Sequence, residues 1–330
     1  MAYLFHQIKL MKMEAINLCS LRDITFDPSI SSLNFGGFDL FQSGKFLDKN
    51  HFTPEWVKEV GDSSTRQFLN PYLFRKTEYT DEKDLILDTL KFKSRLNHLI
   101  NYLWFSKDCA ANIGGTYSYI IEKKLTYQII AVAGFSNAKG EFVNNAIFSN
   151  RDFELSEKVY DKVVHLQTKI DFKHTVEIAP QKVYDSPYHY TNQAKTNSID
   201  RAFTFLMMAR SNSFLPLKIS LHVAILECLF TIDSSEVIHK VSERVAFYIG
   251  GELENKIEIF KRVKEAYSVR SKFFHGQAIK GGSIEKMQEI SVSIDDIVRV
   301  VLHKVIFEDS ELFLSSQQEL QKHFNKQLFV

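Results

Sequence analysis

The sequence predicts an α+β protein: a mixed α/β domain over residues 1–192, followed by an all-α helical bundle over residues 193–330. Three observations lead there. The 330 residues exceed the roughly 100–200 of one ordinary domain, so two cores are expected. β-prone runs divided by turn signals fill much of the first half, and after Asn192 the apolar spacing becomes helical almost to the last residue.

The elements follow in chain order. Residues 81–105 form a helix, because Leu85, Leu90, Leu96, Leu99, Ile100 and Leu103 recur near helical spacing behind an acidic first turn. Short strands are expected at 117–121, 126–133 and 142–148, with turn residues at 137–140. A second helix spans 156–168, with Val159, Val163 and Leu166 on one face. Pro180 and Pro187 punctuate a polar, tyrosine-rich stretch that ends the first domain near Asn192.

Helices are then expected at 198–211, 216–231, 235–249, 254–274, 293–307 and 310–327. Pro216 suits a first turn, Gly250-Gly251 suits a helix exit, and Gly276 suits the left-handed residue after His275.

Composition narrows the function classes. Lys and Arg number 41 against 40 acidic residues, a net charge of +1, so no overall field draws the chain to nucleic acid or an anionic membrane. Any such contact must be local. Cys19, Cys109 and Cys228 lie far apart without a CxxC pair, which supports neither a disulfide framework nor a thiolate zinc site. The N-terminal stretch lacks an apolar targeting core and no run of about 18 apolar residues occurs, so a cytoplasmic protein with no membrane span is expected.

The local patch lies on the 254–274 helix and just beyond it. Between Lys261 and Gly282, Lys261, Arg262, Lys264, Arg270, Lys272 and Lys280 face only Glu265 in opposition, the kind of cluster a phosphodiester backbone requires. Arg270 offers a permanently charged fork matched to phosphate oxygens, and His275 supplies an imidazole, the side-chain type suited to moving protons. For RNA that pair is sufficient in kind. The 2′-OH is an internal nucleophile, and cleavage needs its deprotonation, a braced phosphorane and a protonated leaving oxygen. Spacing alone also fits a surface Arg and a helix-ending His, which the helix dipole favours by itself.

Leu226-Glu227-Cys228-Leu229-Phe230, then Val241-Ser242-Glu243-Arg244-Val245-Ala246, then Tyr267 through Gly276 resemble the ApeA-like branch of the HEPN superfamily in order and spacing. The resemblance covers roughly residues 198–304. It implies a helical bundle with an R-x(4–6)-H motif, in which Arg270 and His275 occupy the two catalytic positions. The implied activity is metal-independent endoribonuclease in abortive-infection defence against phage, without cofactor, in a homodimer that joins two motifs. Ser271 stands where many such proteins carry Asn, Asp or His after the Arg. Members that have lost catalysis serve as RNA-, nucleotide- or protein-binding modules, and a purely structural dimerisation domain is a third reading.

Supporting residues are weighed on the same terms. Glu227 either orients Arg270 or Tyr267, or is a helix-edge carboxylate in water. Tyr267, three residues before Arg270, stacks a base, bonds phosphate or packs the core. Lys264 and Lys272 are phosphate contacts or a solvated face, and Arg244 reaches phosphate or pairs with Glu227. In the first domain, Tyr184, Tyr188, His189 and Tyr190 either stack a ligand or pack a linker. The stretch from Gly36-Gly37 to Gly44-Lys45 fails as a phosphate loop, because Phe46 replaces the hydroxyl residue that would hold magnesium. No histidine pair has metal-ligand spacing. The first domain is expected to answer a phage-derived or nucleic-acid trigger, so truncation near Asn192 is expected to raise toxicity.

Overall fold

The computed structural model describes residues 12–30, 33–42, 51–129, 134–143, 146–167, 176–178, 181–183, 196–232, 236–278 and 283–327. The chain forms two compact units, Met1–Asn137 with Phe142–Lys158, and Ala138–Glu141 with Val159–Val330. The expected boundary at Asn192 lies outside the described residues, as do Tyr184, Tyr188, His189 and Tyr190. The architecture is α+β: an N-terminal antiparallel sheet unit, then a helical unit.

The first unit runs β1 (Met13–Arg22), β2 (Thr25–Phe26), β3 (Leu33–Phe35), β4 (Phe38–Phe41), α1 (Pro54–Arg66), β5 (Tyr72–Tyr79), α2 (Glu82–Tyr102), β6 (Asn112–Ile120), β7 (Leu125–Ile129) and β8 (Ile147–Phe148). Its six-stranded sheet has the order β3-β4-β5-β1-β6-β7, and all its pairings are antiparallel. β2 and β8 form a separate short parallel pair. Helix α3 (Asn150–Leu166) contains the division between the units.

Because β1 is central and covered on both faces, alternation of side chains sorts two cores. Ile16 and Leu18 meet Trp56, Phe68, Tyr72 and Tyr117, whereas Ala15 meets Leu85 and Ile120. Thr53 starts α1 by accepting the Trp56 N–H at 3.2 Å, with Pro54 next to it where no N–H is needed.

A polar seam runs across the sheet. Ser118 Oγ donates to Asn17 Oδ1 (2.6 Å), Asn17 Nδ2 to Thr77 Oγ1 (2.8 Å), Thr77 to the Tyr79 hydroxyl (2.8 Å), and Tyr79 to Asp88 Oδ2 (2.6 Å). Arg75 pairs with the same Asp88 oxygen. Asn17 and Ser118 are fully buried, so these bonds offset a desolvation cost that water cannot relieve.

The second unit holds β9 (Val176–Ile178) and β10 (Gln181–Val183), paired antiparallel, and seven further helices. These are α4 (Ser198–Arg210), α5 (Leu215–Phe230), α6 (Val237–Ile249), α7 (Leu253–Phe274), α8 (Ile284–Phe307), α9 (Ser310–Leu314) and α10 (Gln317–Gln327). Helix α5 touches α4, α6, α7 and α8 and is apolar almost all round, as a helix enclosed by others must be. From Lys218 to Phe230 only Ala224, Glu227 and Cys228 escape full burial. Each aliphatic side chain enclosed this way contributes roughly 1.5–3 kcal/mol.

Ala138–Glu141 belongs to this helical unit. Ser291 Oγ on α8 donates to the Ala138 carbonyl (2.5 Å), and Gln288 to that of Lys139 (3.4 Å). Gly140 has φ +80°, and a Cβ there would stand 2.5 Å from the Ser213 carbonyl oxygen. Among the described residues, no helix is long and apolar enough to cross a membrane.

Several elements differ from expectation. Helix α3 begins at Asn150, where Asp152 accepts the Ser149 N–H at 2.7 Å, six residues before the expected 156. Ser283 caps α8, accepting the Lys286 N–H at 3.2 Å, so that helix starts at Ile284 and not at 293. The helix expected at 310–327 breaks after Leu314, and a reciprocal Ser316–Glu319 capping box starts α10. Of the strand expected at 142–148, Ile147–Phe148 is extended and 144–145 lie outside the described residues.

Candidate active site

The motif lies at the C-terminal end of α7, whose geometry follows from the residues that stop it. Gly276 takes φ +65°, the Gly276 N–H donates to the Phe273 carbonyl (3.2 Å), and the Gln277 N–H to that of Lys272 (2.8 Å). This is a Schellman ending, and the last carbonyls are satisfied by backbone alone. His275 is therefore the C-cap residue, with no capping duty for its ring. The ring is exposed and makes no hydrogen bond or ion pair with any described residue.

Arg270 sits just over one turn earlier. Its Nη2 donates to Glu227 Oε2 on α5 at 3.0 Å, and its guanidinium lies 5.8 Å from the centre of the Phe274 ring. Among the described residues only that one nitrogen forms an ion pair, which leaves the rest of the fork for an anion. The side chains of Arg270 and Glu227 are 36% and 22% exposed, so solvent screens but does not replace their attraction.

Tyr267 packs beneath them, 2% exposed. Its hydroxyl lies near the Glu227 carboxylate without closing a hydrogen bond of ordinary geometry. Burial, then the Glu227 charge, holds the Tyr267 pKa well above its ordinary value. Burial also raises the Glu227 carboxyl above the usual range, while Arg270 and Tyr267 pull it back.

Arg270 and Glu227 open on a groove of about 520 Å³. Phe205, Leu221, Ala224, Val237 and Phe274 supply its apolar walls, and Thr231 lines it one turn beyond Glu227. The Thr231 Oγ1 is shielded from solvent and has no hydrogen-bond partner among the described residues. His275 does not line this groove.

The structure thus brings Glu227, Tyr267 and Arg270 together and leaves other expected residues elsewhere. Arg244 donates to the Phe230 carbonyl at 2.6 Å and lies over the Phe324 ring, so it fastens the end of α5 and does not pair with Glu227. Lys264 is exposed, with its Nζ 5.2 Å from the Phe260 ring. Lys272 is half-buried beside the motif, and Ser271 contributes its carbonyl to the His275 N–H. Among the groove residues that sequence reasoning missed are Thr231, Phe274 and Phe205. Two carried a signal, since Thr231 follows Glu227, and Phe274 follows Arg270, by four residues on one helix face.

Among the described residues, no three His, Cys, Asp or Glu side chains gather as a metal-ligand group. Against known proteins, the chain matches no family model, no curated protein and no solved structure.

Proposed function

We propose that the chain is a metal-independent endoribonuclease of the HEPN type, acting as a homodimer in the cytoplasm in abortive-infection defence against phage. The observation that carries this reading is an Arg270 guanidinium held by one nitrogen at a groove, five residues before an exposed, unbonded His275. In this reading His275 takes the proton of the 2′-OH or gives one to the departing 5′ oxygen. The 2′-oxygen forms its bond to phosphorus, the bond to the 5′ oxygen breaks, and a 2′,3′-cyclic phosphate and a 5′-OH result. Arg270 braces the non-bridging oxygens while Glu227 orients it.

Phe214 and Phe274, 56% and 62% exposed near the motif, offer apolar surface that a second protomer can cover. A dimer also supplies two imidazoles, one to accept and one to donate a proton. The three free cysteines fit a reducing compartment. The first unit is the place where a phage-derived or nucleic-acid trigger acts in this reading.

A second reading, a catalytically silent RNA-binding module, is favoured by one observation: Arg270 lines the groove and His275 does not. Incubation of total RNA with chelator and end-group analysis separates the two. Cyclic phosphate ends are expected from the native chain, with a loss of roughly 10²–10³-fold in Arg270→Ala and at least 10²-fold in His275→Ala. Cleavage that persists in His275→Ala overturns the nuclease reading.

A further inference from the structure

The groove has a composition that the chemistry at the phosphate does not require. Glu227 and Thr231, with Ala224 and Cys228, form the exposed stripe of an otherwise enclosed helix, at the i, i+3, i+4, i+7 spacing of one face. An enclosed helix gains most by making this stripe apolar, yet two of its four positions carry hydrogen-bonding oxygens. The Thr231 Oγ1 is unsatisfied but closed off even from water, so the acceptor the groove offers a ligand is the partly exposed Glu227 carboxylate. Glu227 uses Oε2 for Arg270, and Oε1 has no bond of standard geometry from any described residue. Above them stands Phe274, 62% exposed, and Phe205 and Leu221 complete apolar walls.

An apolar slot with an aromatic side and a partly exposed carboxylate fits a flat ring whose faces are apolar and whose edge carries donors. A volume of about 520 Å³ accommodates one such ring with its sugar. The ion pair of 3.0 Å ties the acceptor oxygens of the slot to the guanidinium that faces phosphate, so ring and phosphate can belong to one nucleotide.

We infer that the groove is a nucleoside subsite that seats the base beside the phosphate bound by Arg270 and selects bases bearing an amino group, guanine foremost. Guanine presents its N1–H and N2–H in parallel, the pattern a carboxylate accepts with both oxygens. Cytosine and adenine present one amino group. Uracil presents one N–H between two carbonyl oxygens, which the carboxylate repels. This inference rests on the reading of Arg270 as the phosphate-holding residue, and it names the substrate preference of that same site.

The test is binding without cleavage. The full chain is titrated calorimetrically with the 3′-monophosphates of guanosine, adenosine, cytidine and uridine. The guanosine nucleotide is expected to bind roughly tenfold or more tightly than the uridine nucleotide. Glu227→Gln removes that preference, and Phe274→Ala, at an exposed position that leaves the fold intact, weakens all four alike. Arg270→Ala weakens all four without changing their order. Equal binding of the four, binding too weak to detect at millimolar concentration, or a preference that survives Glu227→Gln overturns the inference. A base preference in a chain that cuts no RNA sinks the nuclease reading alone; cleavage with cyclic ends and no base preference sinks the subsite alone.

Discussion

His222 stands at the centre of the helical unit, 0% exposed, with neither ring nitrogen in a hydrogen bond among the described residues. Its Nε2 is 3.5 Å from Asp295 Oδ1, yet burial first, then the charges of Lys218, Arg210 and Arg299, holds its pKa well below the ordinary 6.5. The unfolded chain therefore takes up a proton near pH 6.5 that the folded chain refuses. The stabilising contribution is complete above that pH and is lost as pH falls toward the depressed folded value. Between pH 6.5 and 5.5 this residue is expected to remove about 1 kcal/mol of stability. Urea unfolding of the native chain and of His222→Gln at both values checks it, because the variant should show a shallower pH slope by that amount. At the same scale, Arg270, His275 and the neighbouring lysines can be singled out from the sequence, since side-chain chemistry belongs to residue type. The Glu227–Arg270 contact, one of the partnerships expected for Glu227 from the resemblance, joins residues 43 apart, and the place of Thr231 in the groove depends on which face of α5 stays open. Spacing cannot report either one.

Elements here begin and end by local chemistry. The Schellman ending of α7 needs a left-handed residue at Gly276, where a Cβ meets nothing within 4 Å. Gly276→Ala is therefore expected to cost about 1 kcal/mol from backbone conformation alone. Under the nuclease proposal it should also lower RNA cleavage more than RNA binding, because His275 is the adjoining residue. Thermal melting beside a cleavage assay reads both. In the sheet unit, Asn17→Ala removes two bonds, the one accepted from Ser118, which keeps Thr89 Oγ1 at 2.8 Å, and the one donated to Thr77, an expected loss of roughly 1–3 kcal/mol in denaturant unfolding. An unchanged midpoint would show that the seam is dispensable. Helices α4 to α7 were readable to within two residues of their ends because their caps and apolar faces agree. By contrast, β1 and β5 pass unnoticed in the sequence. Strand β1, covered on both faces, carries a continuous apolar run and buried polar residues such as Asn17, and so lacks the alternation of a half-exposed strand, whereas Arg75, Lys76 and Glu78 give β5 a polar texture that hides it. The early start of α8 carried a Gly281-Gly282-Ser283 signal that periodicity alone passed over.

At the scale of the whole molecule, the helical unit is assembled from separated stretches of chain. Ala138–Glu141 and Val159–Leu166 belong with α4 to α10. Ser291 bonds the Ala138 carbonyl inside this unit, and Asn197 Nδ2 donates to the Leu166 carbonyl at 3.0 Å while its Oδ1 caps α4. A fragment starting at residue 193 loses both partners. Its helices are expected to melt at lower temperature than in the full chain, so greater toxicity after such a cut must be read per folded molecule. A fragment that melts at the full-chain temperature contradicts this assembly. Ser291→Ala in the full chain isolates one of the two bonds, with an expected cost of roughly 1–3 kcal/mol.

Gly140 gives this assembly a signature that selection can detect. Its φ of +80° and the Ser213 carbonyl oxygen 2.5 Å from any added Cβ exclude every side chain, whereas Gly276 has open space around it. When both codons are fully randomised and folded molecules are recovered, survivors at 140 should collapse to glycine alone. Those at 276 should also retain asparagine, which tolerates the left-handed backbone.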